Sequence, residues 1–197
     1  MRPEVAVILA GGVSRRMGRD KAAIAYGGTT LLGHVCGVCR EAGLPVVVAG
    51  RADFPESLEE VLFLPDEVAG LGPLGGLVTA LESLRKPVAL LACDAPGVSA
   101  SALCWLVETA AGSTARHGVV VRHAGQLEPL FSVYTPDFLE TARLHLASRF
   151  RSMRAAIGDG DFDFAEVPAK FADALLNMNS AGDLALFLEQ SAQQRGV

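Results

Sequence analysis

The chain has 197 residues, a length that suits one domain or two small ones; half of the residues are hydrophobic and 20% charged, a globular composition that excludes a disordered tail. No apolar run approaches the roughly 18 residues that a membrane-spanning helix needs. The net charge of −5 gives no overall attraction to nucleic acid or to anionic lipid. The basic residues are nevertheless uneven: Arg15, Arg16, Arg19 and Lys21 lie within one short stretch, and Arg149, Arg151 and Arg154 form a second group. A local basic loop in an acidic protein points to a small anionic ligand.

In chain order, Val5–Ala10 is a short apolar run ending at Gly11-Gly12 and reads as a buried strand entering a glycine loop. Residues Leu31 to Ala42 read as a helix stopped by Gly43-Leu44-Pro45. Strands are predicted at Pro45–Ala49 and Val61–Leu64, a glycine-rich turn at Gly70–Leu77 with a helix to Leu84, and a strand at Pro87–Ala92. Then follow a helix at Ser99–Ala111, a strand at His117–Arg122 and a strand at Gln126–Tyr134. Pro129 inside the last of these places it at an edge or a bulge. Phe138–Ala147 and Ser180–Gln190 read as helices, and the stretch from about Arg149 to Lys170 shows the least regularity.

Strands that are continuous apolar runs, alternating with helices, predict an α/β fold: a three-layer, Rossmann-like domain with a mainly parallel sheet. Ligands in such sheets gather at the carboxyl ends of the strands. The residues best suited to chemistry fall there: Gly11 to Lys21, Asp66 to Gly76, and Asp94.

Leu9-Ala-Gly-Gly-Val-Ser-Arg-Arg-Met-Gly-Arg-Asp-Lys21 lacks the spacing of a P-loop, and Ala22 stands where Ser or Thr would hold Mg²⁺. It still suits phosphate, because glycines let backbone N–H groups approach oxyanions and Arg16 and Lys21 add charge-assisted bonds. A strand-to-helix turn with a solvated basic face is the plainer alternative. In Pro65-Asp-Glu-Val-Ala-Gly-Leu-Gly-Pro-Leu-Gly-Gly-Leu77, glycines including Gly72 allow close approach to a flat ligand, and Asp66 offers an acceptor to a base or ribose; a capping loop is the alternative. Asp94, just past a buried strand, suits Mg²⁺ bound by one carboxylate plus phosphates and water. The alternative, a cap for the Ser99 helix, would put it five residues too early.

Leu9-Ala-Gly-Gly-x-Ser-x-Arg-Met-Gly-x-Asp-Lys21 resembles the signature of nucleotidyltransferases. Together with Asp66, Gly70–Gly76, Cys93-Asp-Ala-Pro96, Glu128-Pro-Leu130 and Asn177-Met-Asn-Ser180, in that order, it resembles the molybdenum cofactor guanylyltransferases (MobA family). The resemblance implies a single domain over residues 1–197 with a nucleotide-diphospho-sugar transferase-like fold, whose nucleotide half covers about 1–110 and acceptor half about 111–197. It implies transfer of GMP from GTP to molybdopterin or the molybdenum cofactor, with Mg²⁺ and release of pyrophosphate. Leu9, Ala10, Gly11 and Gly12 would hold GTP through backbone contacts, with Arg16 and Lys21 facing the triphosphate. Asp66 would belong to the GTP site, Asp94 would bind Mg²⁺, and Asn177 and Asn179 would lie toward the pterin. Molybdoenzymes or other cofactor-biosynthesis proteins are the implied protein partners. After the second strand the family usually carries an asparagine; here it reads Ala49-Gly50-Arg51, which leaves the base open. Two other readings remain. One is a cytidylyltransferase on the same pterin, whose loop tends to read Leu-Ala-Ala-Gly. The other is a GTP-binding accessory module without turnover.

The apolar stretch after Arg2 is too short for a signal peptide and follows Glu4, so a cytoplasmic protein is expected. Cys36-Gly-Val-Cys39 falls inside the predicted helix, where a redox motif should instead open one, and is read as structural. His117 and His123 are read as surface or loop residues and Trp105 as core.

Overall fold

A computed structural model describes residues 1–11, 20–52, 58, 61–65, 70–148, 151–176, 178 and 182. The strands are β1 (Val5–Leu9), β2 (Ala25–Tyr26), β3 (Thr29–Thr30), β4 (Val46–Ala49), β5 (Val61–Leu64), β6 (Val88–Ala92), β7 (Gly118–His123), β8 (Gln126–Tyr134) and β9 (Phe162–Glu166). The helices are α1 (Leu31–Glu41), α2 (Gly72–Leu84), α3 (Ala100–Ala111), α4 (Leu139–Ala147) and α5 (Met153–Gly158). Seven strands form one sheet in the order β5-β4-β1-β6-β8-β7-β9, while β2 and β3 make a separate hairpin. From β5 to β6 all pairs are parallel; β8 runs antiparallel to both β6 and β7, and β9 is parallel to β7. The fold is therefore the expected α/β arrangement with a mainly parallel sheet.

The central strands are apolar on both faces because both faces are covered. Ala6 and Ile8 of β1 pack with Leu32 and Val35 of α1 and Leu103 and Leu106 of α3. Val5 and Val7 pack on the other face with Leu74 and Leu77 of α2, Ala142 of α4 and Ile157 of α5. Each of the fully buried leucines contributes about 1.5–3 kcal/mol relative to exposure. Thr30 caps α1, its Oγ1 accepting from Gly33 N at 3.1 Å, and Ser99 caps α3, its Oγ accepting from Ala102 N at 3.3 Å. Asp94 is thus not the cap of α3. Among the described residues, no helix is long and apolar enough to cross a membrane.

Of the two places open to Pro129, an edge or a bulge, the structure has the bulge: β8 lies between β6 and β7, with a register shift between Val119↔Val133 and Val121↔Glu128. Two expectations need correction. The stretch from Arg149 to Lys170 is not irregular throughout, since it holds α5 and β9. His117 is buried rather than on the surface; its Nδ1 accepts from Asp161 N at 2.9 Å and its ring meets Phe138 and Phe162. Trp105 is half-buried against the core and Phe171. The expected helix Ser180–Gln190 lies outside the described residues apart from Gly182.

Candidate active site at the carboxyl edge of the sheet

Three parallel strands deliver their carboxyl ends side by side. Ala10 N donates to Ala49 O at 2.9 Å, Gly50 N to Leu64 O at 2.9 Å and Cys93 N to Leu9 O at 3.2 Å, so the exits of β1, β4, β5 and β6 are stitched together. Leu9 and Ala10 are half-buried there and Gly11 is exposed. Gly50, at φ +96°, has backbone contact with Gly11: a Cβ on it would lie 2.5 Å from Gly11 Cα. Glycine is required at this point by both conformation and space.

Past the glycine loop, Asp20 caps a single 3-10 turn, Lys21–Ala23, with its Oδ1 accepting from Ala22 N at 3.0 Å. This turn aims the Lys21 side chain back across the sheet edge, where Nζ donates to Asp94 Oδ2 at 2.7 Å. The two side chains keep 20% and 17% of their exposure, so the pair is shielded but reachable. Beside it Arg51 pairs with Asp20 at 3.0 Å. Two cations and two carboxylates thus meet where β1, β4 and β6 end. Burial chiefly, and then the charges of Asp94 and Asp20, push the neighbouring Cys93 thiol up to about 12.

The Asp94–Gly97 loop is braced from two sides. Pro96 O accepts from Tyr26 Oη at 3.3 Å and from His34 Nε2 at 3.1 Å, which fastens the loop to the β2–β3 hairpin and to α1. Burial holds the His34 pKa below its ordinary value, against the effect of its bonds to Pro96 and Val98. On the other side Met178 N donates to Asp94 O at 2.9 Å, and Gly97 packs directly on the carbonyl of Asp173. Gly72 stands at the first residue of α2 with φ +68°, on an exposed turn whose preceding Leu71 supplies no side-chain cap.

Of the residues singled out from sequence, the structure brings Leu9, Ala10, Gly11, Lys21 and Asp94 together. Gly12, Arg16, Asp66, Asn177 and Asn179 lie outside the described residues. Tyr26, Asp20 and Arg51 were missed. Arg51 carried a usable signal, since it follows a glycine at a strand exit; Tyr26 carried none. Cys36 and Cys39 lie inside α1, buried and free, their thiols pushed up to about 11 and about 12 chiefly by burial. Among the described residues, no three His, Cys, Asp or Glu side chains are grouped as a metal cage.

Residues 6–160 match the family model of the MobA-like NTP transferase domain. The chain belongs to that family. A probable molybdenum cofactor guanylyltransferase of Opitutus terrae is 40% identical over 152 residues, which cover 75% of this chain and 74% of that protein. Another so named, from Mycobacterium marinum, is 35% identical over 184 residues, covering 90% of each. The fold is shared with the crystal structure of molybdopterin-guanine dinucleotide biosynthesis protein A from Archaeoglobus fulgidus, at a TM-score of 0.80 and 20% identity over 95% of this chain and 98% of that one.

Proposed function

We propose that the protein is a molybdenum cofactor guanylyltransferase, which moves GMP from GTP to the terminal phosphate of molybdopterin or its molybdenum form. The observation that carries the reading is the Lys21–Asp94 pair at the joined exits of β1 and β6. Its relatives' names agree with it.

The acceptor phosphate is already an anion, so the reaction needs no general base. One of its oxygens forms a bond to the α-phosphorus of GTP, the bond from that phosphorus to the bridging oxygen breaks, and pyrophosphate leaves with the electron pair. Attack of one anion on another makes charge neutralisation and alignment the main catalytic requirements. In this reading the backbone at Leu9, Ala10 and Gly11, continuing through Gly12, receives the nucleotide. Lys21 and Arg16 face the triphosphate, Asp66 and the turn at Gly72 belong to the nucleotide side, and Asn177 and Asn179 to the pterin side.

The donor set fits Mg²⁺. Asp94 is a single hard carboxylate with one oxygen on Lys21, which suits an ion held otherwise by phosphate and water and not by an all-protein cage. Mg²⁺ bound there would supply Lewis-acid neutralisation of the phosphate oxygens. The four free thiols accord with a cytoplasmic setting.

The test is incubation of the protein with Mg²⁺, the pterin acceptor and each of GTP, CTP, ATP and UTP, scoring pyrophosphate and product mass, with Asp94→Ala as control. A guanine product from GTP alone, lost in the control, supports the reading. The end of β4 carries Gly50 and no asparagine, which leaves the base open, so a cytosine product would move the chain to the sister activity. GTP binding without product from any nucleotide would leave an accessory module.

A further inference from the structure

Because β8 runs antiparallel to β6, its first residues stand at the same sheet edge at which β6 delivers Asp94. There β8 carries the register shift, and the shift is fixed by side chains. Three consecutive carbonyls are each taken by a side-chain donor: Leu127 O by Arg154 Nη2 at 3.0 Å, Glu128 O by Ser132 Oγ at 2.7 Å and Pro129 O by Tyr134 Oη at 2.9 Å. Ser132 and Tyr134 are fully buried, and Ser132 Oγ also accepts from Val121 N at 3.0 Å, bridging the gap in the β7–β8 ladder. Bulges of this kind re-aim side chains beside ligand sites. The side chain mounted on this one is Glu128.

Glu128 is half-buried, yet among the described residues no donor reaches its carboxylate. Burial pushes its carboxyl up, and Arg154 and His123 are the cations that oppose the shift. A carboxylate held on so rigid a mount, partly desolvated and with no hydrogen-bond donor on it among the described residues, is an unused acceptor of two hydrogen bonds. It stands on the β8–β7 side of Asp94, whereas the turn at Gly72 follows β5 at the opposite end of the sheet.

We infer that Glu128 is the acceptor-recognition residue: its carboxylate takes adjacent N–H donors of the acceptor's heterocycle, as an aminopyrimidinone edge presents them, while Arg154 and His123 lie beside it for the acceptor's negative charge. The inference rests on the proposed transfer to a pterin, and it assigns that substrate's place on the sheet.

Glu128→Gln and Glu128→Ala are tested in the full chain, with Glu128→Asp as the conservative variant. KM is measured separately for pterin and GTP, and pterin binding without nucleotide is followed by its own fluorescence. The expected result is a rise of about 10- to 100-fold in the pterin KM and dissociation constant, with the GTP KM within about twofold of wild type and partial recovery in the aspartate variant. Unchanged pterin constants, or an equal rise for both substrates, would overturn the assignment. If wild type makes no product, the proposed reaction fails by itself. Binding then decides: pterin bound by wild type and lost in Glu128→Ala upholds the subsite, and any other pattern ends it.

Discussion

Lys21 Nζ lies 2.7 Å from Asp94 Oδ2, although 73 residues separate them. The pair joins the loop after β1 to the loop after β6 and leaves each charge neutralised by the other. In the proposed reaction a triphosphate and its cation would exchange both partners: the ammonium would turn to phosphate and the carboxylate to the cation.

That exchange predicts a shared loss of rate in two variants and a distinct magnesium response in one of them. Asp94→Asn should lower kcat/KM for GTP by about 100-fold or more, the loss of several kcal/mol of charge stabilisation. Lys21→Met should lower it by a similar factor while decreasing the Mg²⁺ concentration needed for half-maximal rate, because the carboxylate loses its competing cation. Magnesium titrations of the three proteins at saturating GTP check this; an unchanged or raised magnesium requirement in Lys21→Met would refute the exchange.

Gly50→Ala should be costly for its size. The residue sits at φ +96° and its Cβ would press on Gly11. The backbone term is about 1–3 kcal/mol, and the Gly11 segment must move as well. Thermal unfolding should show the loss of stability, and the GTP KM should rise with little change in the pterin KM.

His34 should make stability depend on pH. Its folded-state pKa lies below the unfolded value of 6.5 because burial disfavours the imidazolium. The unfolded chain therefore binds more protons in that window, so this contribution is complete above about pH 6.5 and is lost as pH falls toward the lowered folded value. Melting temperatures of wild type and His34→Gln at pH 7.5 and 5.5 should show a smaller acid decline in the variant.

The thiols should separate into two classes. Cys104 is exposed, whereas Cys36, Cys39 and Cys93 are pushed up to about 11, about 12 and about 12, chiefly by burial. A thiol reagent at pH 7.5 should label one cysteine promptly in the folded protein and all four after denaturation. Prompt labelling of Cys36 or Cys39 would contradict a structural role for that pair.

The parts of the fold that the sequence revealed are those whose residues are buried on both sides. VAVIL, VVVA and VALLA are continuous apolar runs because helices cover both faces, and their exits led directly to Lys21 and Asp94. FDFAE of β9 gave no such signal: it is an edge strand with acidic residues facing outward, and α5 before it has only six residues. Pro129 was a fair warning of irregularity, but its cause is long-range. The register shift in β8 is tied by the Ser132 and Tyr134 hydroxyls, which no local pattern announces. The braces on Pro96 were hidden for the same reason, since Tyr26 and His34 reach it across 70 and 62 residues.

The insertion of β8 between β6 and β7 also orders events during synthesis. Until the chain has run on past Phe131, β6 has β1 on one side and nothing to hydrogen-bond on the other. The strand that carries Asp94 is an open edge for that time, able to pair with a foreign strand. The growing protein closes this vulnerability with its own later sequence, and one brace on Asp94 arrives only with Met178. A nascent chain therefore has to reach Met178 before its central carboxylate has this fixed address.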